Sequence, residues 1–459
     1  MTITNDGPVK RKKKIMIIAG EPSGDLHGSA LVAELLRKYP SLKIIGIGGD
    51  MMAMQGMELF YHIKYLSAMG LVEVLLQIRR IKEAFDLFRR HLSMERPDLL
   101  ILIDYPGFNL KAAAYAKRKG VPVLYYVAPK VWAWKKSRLA VMKKNVDHVA
   151  LIFPFEERIY KKAGISATFV GNPLLDDTLP VPLPASFQTS LPLSPSTDVF
   201  HGRGLGAEEA YPLPPSTDLF RGRGLGAEEA YPLPPSTDLS PSVFNVGILP
   251  GSRPSEIAAL LETMLDACMM IYKKHKSVHF MVSLSPSIEL SGRSLALFSG
   301  IIHQYLQREP FHSQPNLMEI VPGPVKEIFP RCDLLVAASG TVTLEAAIAA
   351  VPMIIVYKVS PVTAFFARCF LEISHVGLPN IVAGYELVPE LIQDMATPEQ
   401  ISGKALGLIQ DKFALDHIRR GLYMLKNRLG IKRNANGSVN GAARGTASIA
   451  ISMISGHPQ

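Results

Sequence analysis

Compact apolar runs recur along the chain, each followed by a longer stretch whose apolar positions return every three or four residues. The runs Lys14–Ala19, Lys43–Ile47, Asp98–Ile103, Pro122–Val127, His148–Ile152 and Thr168–Val170 predict strands. Near-continuous apolar character, rather than alternation, marks strands covered on both faces, as in parallel sheets. The segment His27–Lys38 reads as a helix. Ile78, Ile81, Phe85, Phe88 and Leu92 predict the apolar face of another, with Arg79, Arg80, Lys82, Arg89 and Arg90 over much of its other surface. The habit resumes with Asn245–Leu249, Val278–Ser283, Met318–Val321, Asp333–Ala337 and Pro352–Tyr357. Alternating β and α in two blocks predicts an α/β protein of two doubly wound domains with right-handed crossovers.

Between the blocks the pattern stops. The unit GRGLGAEEAYPLPPSTDL stands unchanged at Gly202–Leu219 and Gly222–Leu239. Its Pro, Gly and Ser content offers little core, and two copies do not make a stacked solenoid. The glycine runs lack the preceding strand and following apolar helix of a phosphate loop. The expected boundaries are 1–177 for a first Rossmann-like domain, 178–242 for a poorly ordered linker, 243–430 for a second Rossmann-like domain and 431–459 for a C-terminal segment, with Ser438–Ser455 a weak helix candidate.

Composition narrows the class. The 459 residues are 48% hydrophobic and 20% charged, which excludes disorder throughout. Three cysteines, Cys268, Cys332 and Cys369, have neither disulfide-framework nor metal-ligand spacing, so a reducing compartment is expected. Ala346–Tyr357, interrupted by Pro352, is too short to span a bilayer, and the basic Met1–Lys14 stretch lacks a signal-peptide core. A net charge of +10 suits nucleic acid, anionic lipid or phosphorylated substrates. The absence of zinc-finger or RNA-binding aromatic signatures argues against nucleic acid. Trp132 and Trp134, followed by Lys135, Lys136 and Arg138, and the apolar stretch Tyr65–Leu76, suit a membrane surface or a packed core.

Candidate chemistry gathers where strands end. Gly20-Glu21-Pro22-Ser23-Gly24-Asp25 follows the first strand: Glu21 and Asp25 could bind hydroxyls, or Ser23 or Asp25 could cap a helix. Asp104, at the end of the run before Tyr105-Pro106-Gly107, is either a partly desolvated general base or a turn residue. Leu249-Pro250-Gly251-Ser252-Arg253 offers backbone donors and a forked cation to a diphosphate. Ser339, Gly340 and Thr341 make a second anion cradle or a helix cap, and Glu345 could accept ribose hydroxyls. Asn380 is a base- or phosphate-reading candidate with a turn role as the alternative.

Taken in order, GEPSGD, AMGLVEVL, IDYPGFN, YYVAPKVWAW, FPFE, VGNP, LPGSR, ASGTVTLE and GLPNIVAGYELVPEL closely resemble the lipid-A-disaccharide synthase family, inverting glycosyltransferases of GT-B architecture. The resemblance implies transfer of a sugar from UDP-2,3-diacylglucosamine to 2,3-diacylglucosamine 1-phosphate, giving the β(1→6) disaccharide and UDP. It implies Asp104 as catalytic base with Glu21 in its partner loop. It also implies a C-terminal UDP site built from Ser252, Arg253, Ser339, Gly340, Thr341, Glu345 and Asn380. No D-x-D motif occurs, so neither metal nor other cofactor is expected; Asp176-Asp177 is the nearest approach. The resemblance further implies a peripheral protein on the cytoplasmic face of the inner membrane, no nucleic-acid partner, and a C-terminal segment that packs back on the first domain or exchanges within a homodimer. Gly107 stands where the family often has a second acid, which predicts reduced activity if that acid takes part in chemistry. Competing assignments on the same fold are a peptidoglycan N-acetylglucosaminyltransferase, a UDP-sugar epimerase, or a nucleotide-sugar-binding protein without catalysis.

Overall fold

The computed structural model describes residues 12–66, 71–131, 137–176, 243–289, 291–359, 375–430 and 441–455, with the side chains of 71–77 and 137 outside that description. The tandem repeat, Trp132, Trp134, Lys135, Lys136, Asp177, Cys369 and part of the Tyr65–Leu76 stretch therefore lie outside the described residues.

The first half alternates β1 (Lys14–Ala19), α1 (Pro22–Lys38), β2 (Lys43–Gly48), α2 (Asp50–Met54), β3 (Glu58–His62), α3 (Leu71–Glu95), β4 (Leu99–Ile103), α4 (Pro106–Arg118), β5 (Val123–Tyr126), α5 (Ser137–Asn145), β6 (His148–Leu151), α6 (Glu156–Lys162) and β7 (Ala167–Phe169). Its strands form one sheet in the order β3-β2-β1-β4-β5-β6-β7, and every pairing is parallel. The second half runs β8 (Phe244–Leu249), α7 (Pro254–Lys274), β9 (Val278–Leu284), α8 (Pro286–Glu289), α9 (Gly292–Leu306), β10 (Met318–Pro322), β11 (Leu334–Ala338), α10 (Thr341–Ile348), β12 (Met353–Tyr357), α11 (Leu378–Ala383), β13 (Glu390–Ile392), α12 (Pro398–Gln410) and α13 (Lys412–Leu429), before α14 (Ala442–Ser455). Its sheet has the order β10-β9-β8-β11-β12-β13, again all parallel.

Successive strand side chains point to opposite faces, so apolar runs feed two cores at once. In β1, Met16 and Ile18 pack with Phe88 of α3 and Ala112 of α4. Ile15 and Ile17 face Leu31 and Leu35 of α1 and Ile449 of α14. The C-terminal helix thus belongs to the core of the first sheet. Asp176 fixes its start by accepting hydrogen bonds from the Ala442 and Ala443 N–H groups at 2.8 and 3.0 Å. Two further seams join the halves: Phe153 sits in the core of the second sheet, and the Asn172 N–H donates to the Leu429 carbonyl at 3.0 Å.

Strand order reverses direction between β1 and β4, and again between β8 and β11. Open α/β sheets bind ligands at such points, beyond the carboxyl ends of the strands.

Two strands were not anticipated from sequence. β3 is an edge strand with no fully buried residue, and β13 spans three residues, so neither carries an apolar run. Ile78, expected on the buried face of α3, is 60% exposed, while Phe88 and Leu92 are buried. The buried stripe of α3 is therefore carried by residues further along the helix.

Removing the cap on α14 by Asp176→Ala should destabilise the protein by about 1 kcal/mol, the usual worth of a helix cap. A lowered urea midpoint at unchanged slope is the expected outcome.

Candidate functional site

At the β1/β4 switch point the chain turns sharply. Asp104 and Tyr105, directly after β4, both have left-handed backbone, at φ 46° and 45°. Side-chain-bearing residues rarely take that conformation, and surrounding contacts must enforce it. The Asp104 N–H donates to the Tyr126 carbonyl at 3.2 Å. The Asp104 carbonyl accepts from the Tyr125 hydroxyl at 2.6 Å and from Asn109 Nδ2 at 2.7 Å. Asn109, fully buried, also donates to the Ile103 carbonyl. The asparagine of the IDYPGFN motif thus staples the strand end to the first turn of α4. The main chain of Asp104 is thus held by its neighbours, and the Tyr105 backbone N–H acts on its carboxyl. Burial pushes its carboxyl above the usual aspartate value, and the Lys130 ammonium opposes that push.

Glu21, immediately before α1, lies close enough to sense both halves. Its carboxyl is raised chiefly by burial, then by Asp104, and lowered by Arg253. One side chain from the first sheet therefore lies in the fields of the proposed base and of the guanidinium at the end of β8. Gly20 is required beside it: a Cβ there would run into the Tyr105 ring. Tyr105 in turn stacks on Phe108 with ring centroids 6.0 Å apart. Asp25 does other work. It is buried and accepts from the N–H groups of Gly49, Met51 and Met52 at 2.8, 3.2 and 3.1 Å, capping α2. It is thus a cap, though of a different helix from the one it stands in, and its oxygens are committed.

At the β8/β11 switch point Gly251 has φ +96°, which glycine adopts without strain. The Ser252 N–H, expected with that of Gly251 to face a diphosphate, instead donates to Glu256 Oε2 at 3.0 Å, as the Arg253 N–H does at 3.2 Å. This is the N3-to-N-cap half of a capping box, and it uses up those two backbone donors. The Arg253 guanidinium is 79% exposed and sits 3.6 Å from Glu256 Oε1, so the side chain remains available to an anion. Tyr357, at the end of β12, is raised by burial and by Glu256 and lowered by Arg253, which brings β12 to the same group.

Ser339 follows β11, its N–H donating to the Val356 carbonyl at 3.0 Å. Gly340 and Thr341 are exposed at the start of α10. The helix start is fastened from behind by buried Thr343, whose hydroxyl donates to the Gly340 carbonyl at 2.8 Å. Glu345, one turn in, is raised by burial and lowered by Lys326.

Asn380 does not fit the nucleotide-reading role expected of it. It is fully buried. Its Nδ2 donates to the Val388 carbonyl and to Glu390 Oε1, both at 2.8 Å, and its Oδ1 accepts from the Leu387 and Val388 N–H groups at 2.8 and 2.9 Å. Both donors and both acceptor positions are occupied. Glu390 continues the clamp by accepting from the Val376 and Gly377 N–H groups. Asn380 shapes the loop near the end of β12 and has no edge to spare for a base.

Lys130 and Glu256 were not singled out from sequence. Glu256 was legible as an acid in the first turn of a helix that Pro254 opens, where the helix dipole favours it. Lys130 lies inside YYVAPKVWAW, exposed in the loop that follows β5.

The family model for lipid-A-disaccharide synthetase matches residues 15–197 and 239–423. The lipid-A-disaccharide synthase of Geobacter metallireducens is 35% identical over 418 residues, covering 91% of this chain and 93% of that protein. That of Trichlorobacter lovleyi is 34% identical over 446 residues, covering 97% and 99%. Among solved structures, the glycosyltransferase of kitacinnamycin aligns with TM-score 0.52 at 12% identity, over 97% of this chain and 100% of that one. The UDP co-structure of MnaA from S. aureus aligns with TM-score 0.52 at 11% identity, over 96% of each chain. These two likenesses establish the fold.

Asn380→Ala should leave several buried backbone groups unsatisfied and cost about 3 kcal/mol of stability. Urea unfolding measures it; a stable variant with weakened UDP binding would return Asn380 to the nucleotide site.

Proposed function

The chain belongs to the lipid-A-disaccharide synthase family, and we propose from that premise how its residues carry out sugar transfer. It is a hexosyltransferase of GT-B fold. UDP-2,3-diacylglucosamine is the donor and 2,3-diacylglucosamine 1-phosphate the acceptor.

The acceptor 6-hydroxyl attacks the anomeric carbon. A carbon–oxygen bond forms there as the bond to the UDP oxygen breaks, with inversion. Asp104 takes the hydroxyl proton, and the electron pair of the broken bond leaves on UDP. The Arg253 guanidinium and the exposed start of α10, Gly340 and Thr341, meet the charge growing on the diphosphate. Glu345 accepts from the ribose hydroxyls, while Ser252 and Ser339 line the same strand ends. Metal is assigned no part, so transfer should persist with chelator present. The observation that carries this assignment is positional: Glu21 and Asp104 follow β1 and β4, and Arg253 and Ser339 follow β8 and β11, at the two switch points where open α/β sheets bind ligands.

A base works only when ionised. The raised carboxyl of Asp104 therefore predicts a kcat/KM that falls on acidification, with its acid limb above the ordinary aspartate value of about 4. Asp104→Asn should lose about a hundredfold or more in kcat and keep UDP binding. Arg253→Ala should raise the donor KM as well as lower kcat. Near-normal turnover in Asp104→Asn, assayed as UDP release with acceptor present, would remove Asp104 as the base.

No helix among the described residues is long and apolar enough to cross a membrane. Acylated substrates call for a membrane surface, and α3 carries exposed Arg79, Arg80, Lys82, Arg89 and Arg90. We assign this face to the anionic cytoplasmic leaflet of the inner membrane. Sedimentation with vesicles containing acidic phospholipid should capture the protein at low salt and release it at high salt. Capture that ignores both lipid charge and salt would contradict the assignment.

A further inference from the structure

We propose that Tyr125 is a positioning residue for Asp104: its hydroxyl, reaching across from β5, holds the main chain after β4 in the left-handed turn that keeps the carboxyl at the strand end. The proposal rests on the assignment of Asp104 as base.

The strand itself shows where the carboxyl would otherwise go. Along β4 the side chains alternate. Ile101 and Ile103 enter the core shared with α1 and α14, and Leu100 and Leu102 enter the core shared with α3 and α4. An extended residue at 104 would follow Leu100 and Leu102 into the core that holds Phe108 and Ala112, where an ionised carboxyl finds no water. The chain instead takes φ 46° at Asp104 and 45° at Tyr105. Side-chain-bearing residues rarely adopt that conformation twice in succession unless their surroundings impose it.

The bonds that impose it differ in origin. Asn109 Nδ2 donates to the Asp104 carbonyl at 2.7 Å and to the Ile103 carbonyl at 3.1 Å, and the Asn109 N–H donates to the Tyr105 carbonyl at 3.0 Å. Asn109 lies in the first turn of α4, so it travels with the segment it holds. The Tyr125 hydroxyl donates to the Asp104 carbonyl at 2.6 Å from a different strand. β5 runs between β4 and β6, and Tyr125 stands opposite Leu102 in the ladder. Its ring is fully buried in the core of α3 and α4. The hydroxyl therefore has no water to turn to, and giving up the Asp104 carbonyl would leave it unsatisfied. Tyr125 ties the turn to the middle of the sheet. Without the hydroxyl the strained backbone is free to relax toward the extended form, and a reacting group displaced by about 1 Å can lose about a hundredfold in rate.

The test is steady-state kinetics of the full-length enzyme, read as UDP release, for wild type, Tyr125→Phe, Asp104→Asn, the double variant and Tyr305→Phe. Tyr305→Phe removes another buried tyrosine hydroxyl, one that bonds the Glu262 carbonyl and Asp266 between α7 and α9. Tyr125→Phe should lower kcat about tenfold or more and leave donor KM and UDP affinity within about twofold. Tyr305→Phe should keep the wild-type kcat. In the Asp104→Asn background Tyr125→Phe should cost almost nothing further, because a residue that acts through the carboxyl has nothing left to place. Wild-type kcat in Tyr125→Phe overturns the proposal. So does a loss shared by Tyr305→Phe or accompanied by lost UDP binding, which would make the effect one of general stability. A loss in the double variant equal to the product of the single losses also overturns it, by giving Tyr125 a role apart from Asp104. Near-normal turnover in Asp104→Asn means that the base assignment has failed, whatever Tyr125→Phe does.

Discussion

A carboxylate drawn out of water at the end of a buried strand must be held by the protein, and the placement of Asp104 is the constraint on which the rest of the site depends. Its backbone takes a left-handed turn, enforced by Asn109 from α4 and Tyr125 from β5. Those two side chains bond its carbonyl, not its carboxyl. The main chain of Asp104 is thereby fixed by two neighbouring elements that leave its carboxyl untouched. Gly20 allows the Tyr105 ring to lie against the β1 loop, so the same turn also sets the spacing between the Asp104 and Glu21 segments.

The second half uses a comparable economy. Glu256 ties the Ser252 and Arg253 amides to the first turn of α7, so the Arg253 side chain rather than its backbone faces outward. The start of α10, by contrast, keeps Gly340 and Thr341 exposed. Parallel sheets make this arrangement natural, because all their carboxyl strand ends lie along one edge, and the loops of β8, β11 and β12 meet there.

The fold was legible because its buried strands are short, continuous apolar runs, and β1, β4, β5, β8 and β12 lie within a residue or so of where those runs predict them. β3 and β13 were illegible for the converse reason, one being an edge with no fully buried residue and the other three residues long. For the site, residue type at a strand end does not separate side chains left exposed from those that cap or clamp the backbone. Asp25, Asn380 and Glu390 stand in motifs of the family and spend their polar atoms inside the protein. A buried Asn with four internal bonds and an exposed Arg with one look alike in sequence; only hydrogen-bond bookkeeping tells them apart.

The most direct measurement is a crystal structure of the enzyme with UDP and the acylated acceptor bound together. The account predicts the diphosphate against the Arg253 guanidinium and the start of α10. It also predicts an Asp104 oxygen within hydrogen-bonding reach, roughly 2.6–3.2 Å, of the acceptor 6-hydroxyl. A 6-hydroxyl paired to another residue, with the Asp104 carboxyl turned into the protein, would contradict it.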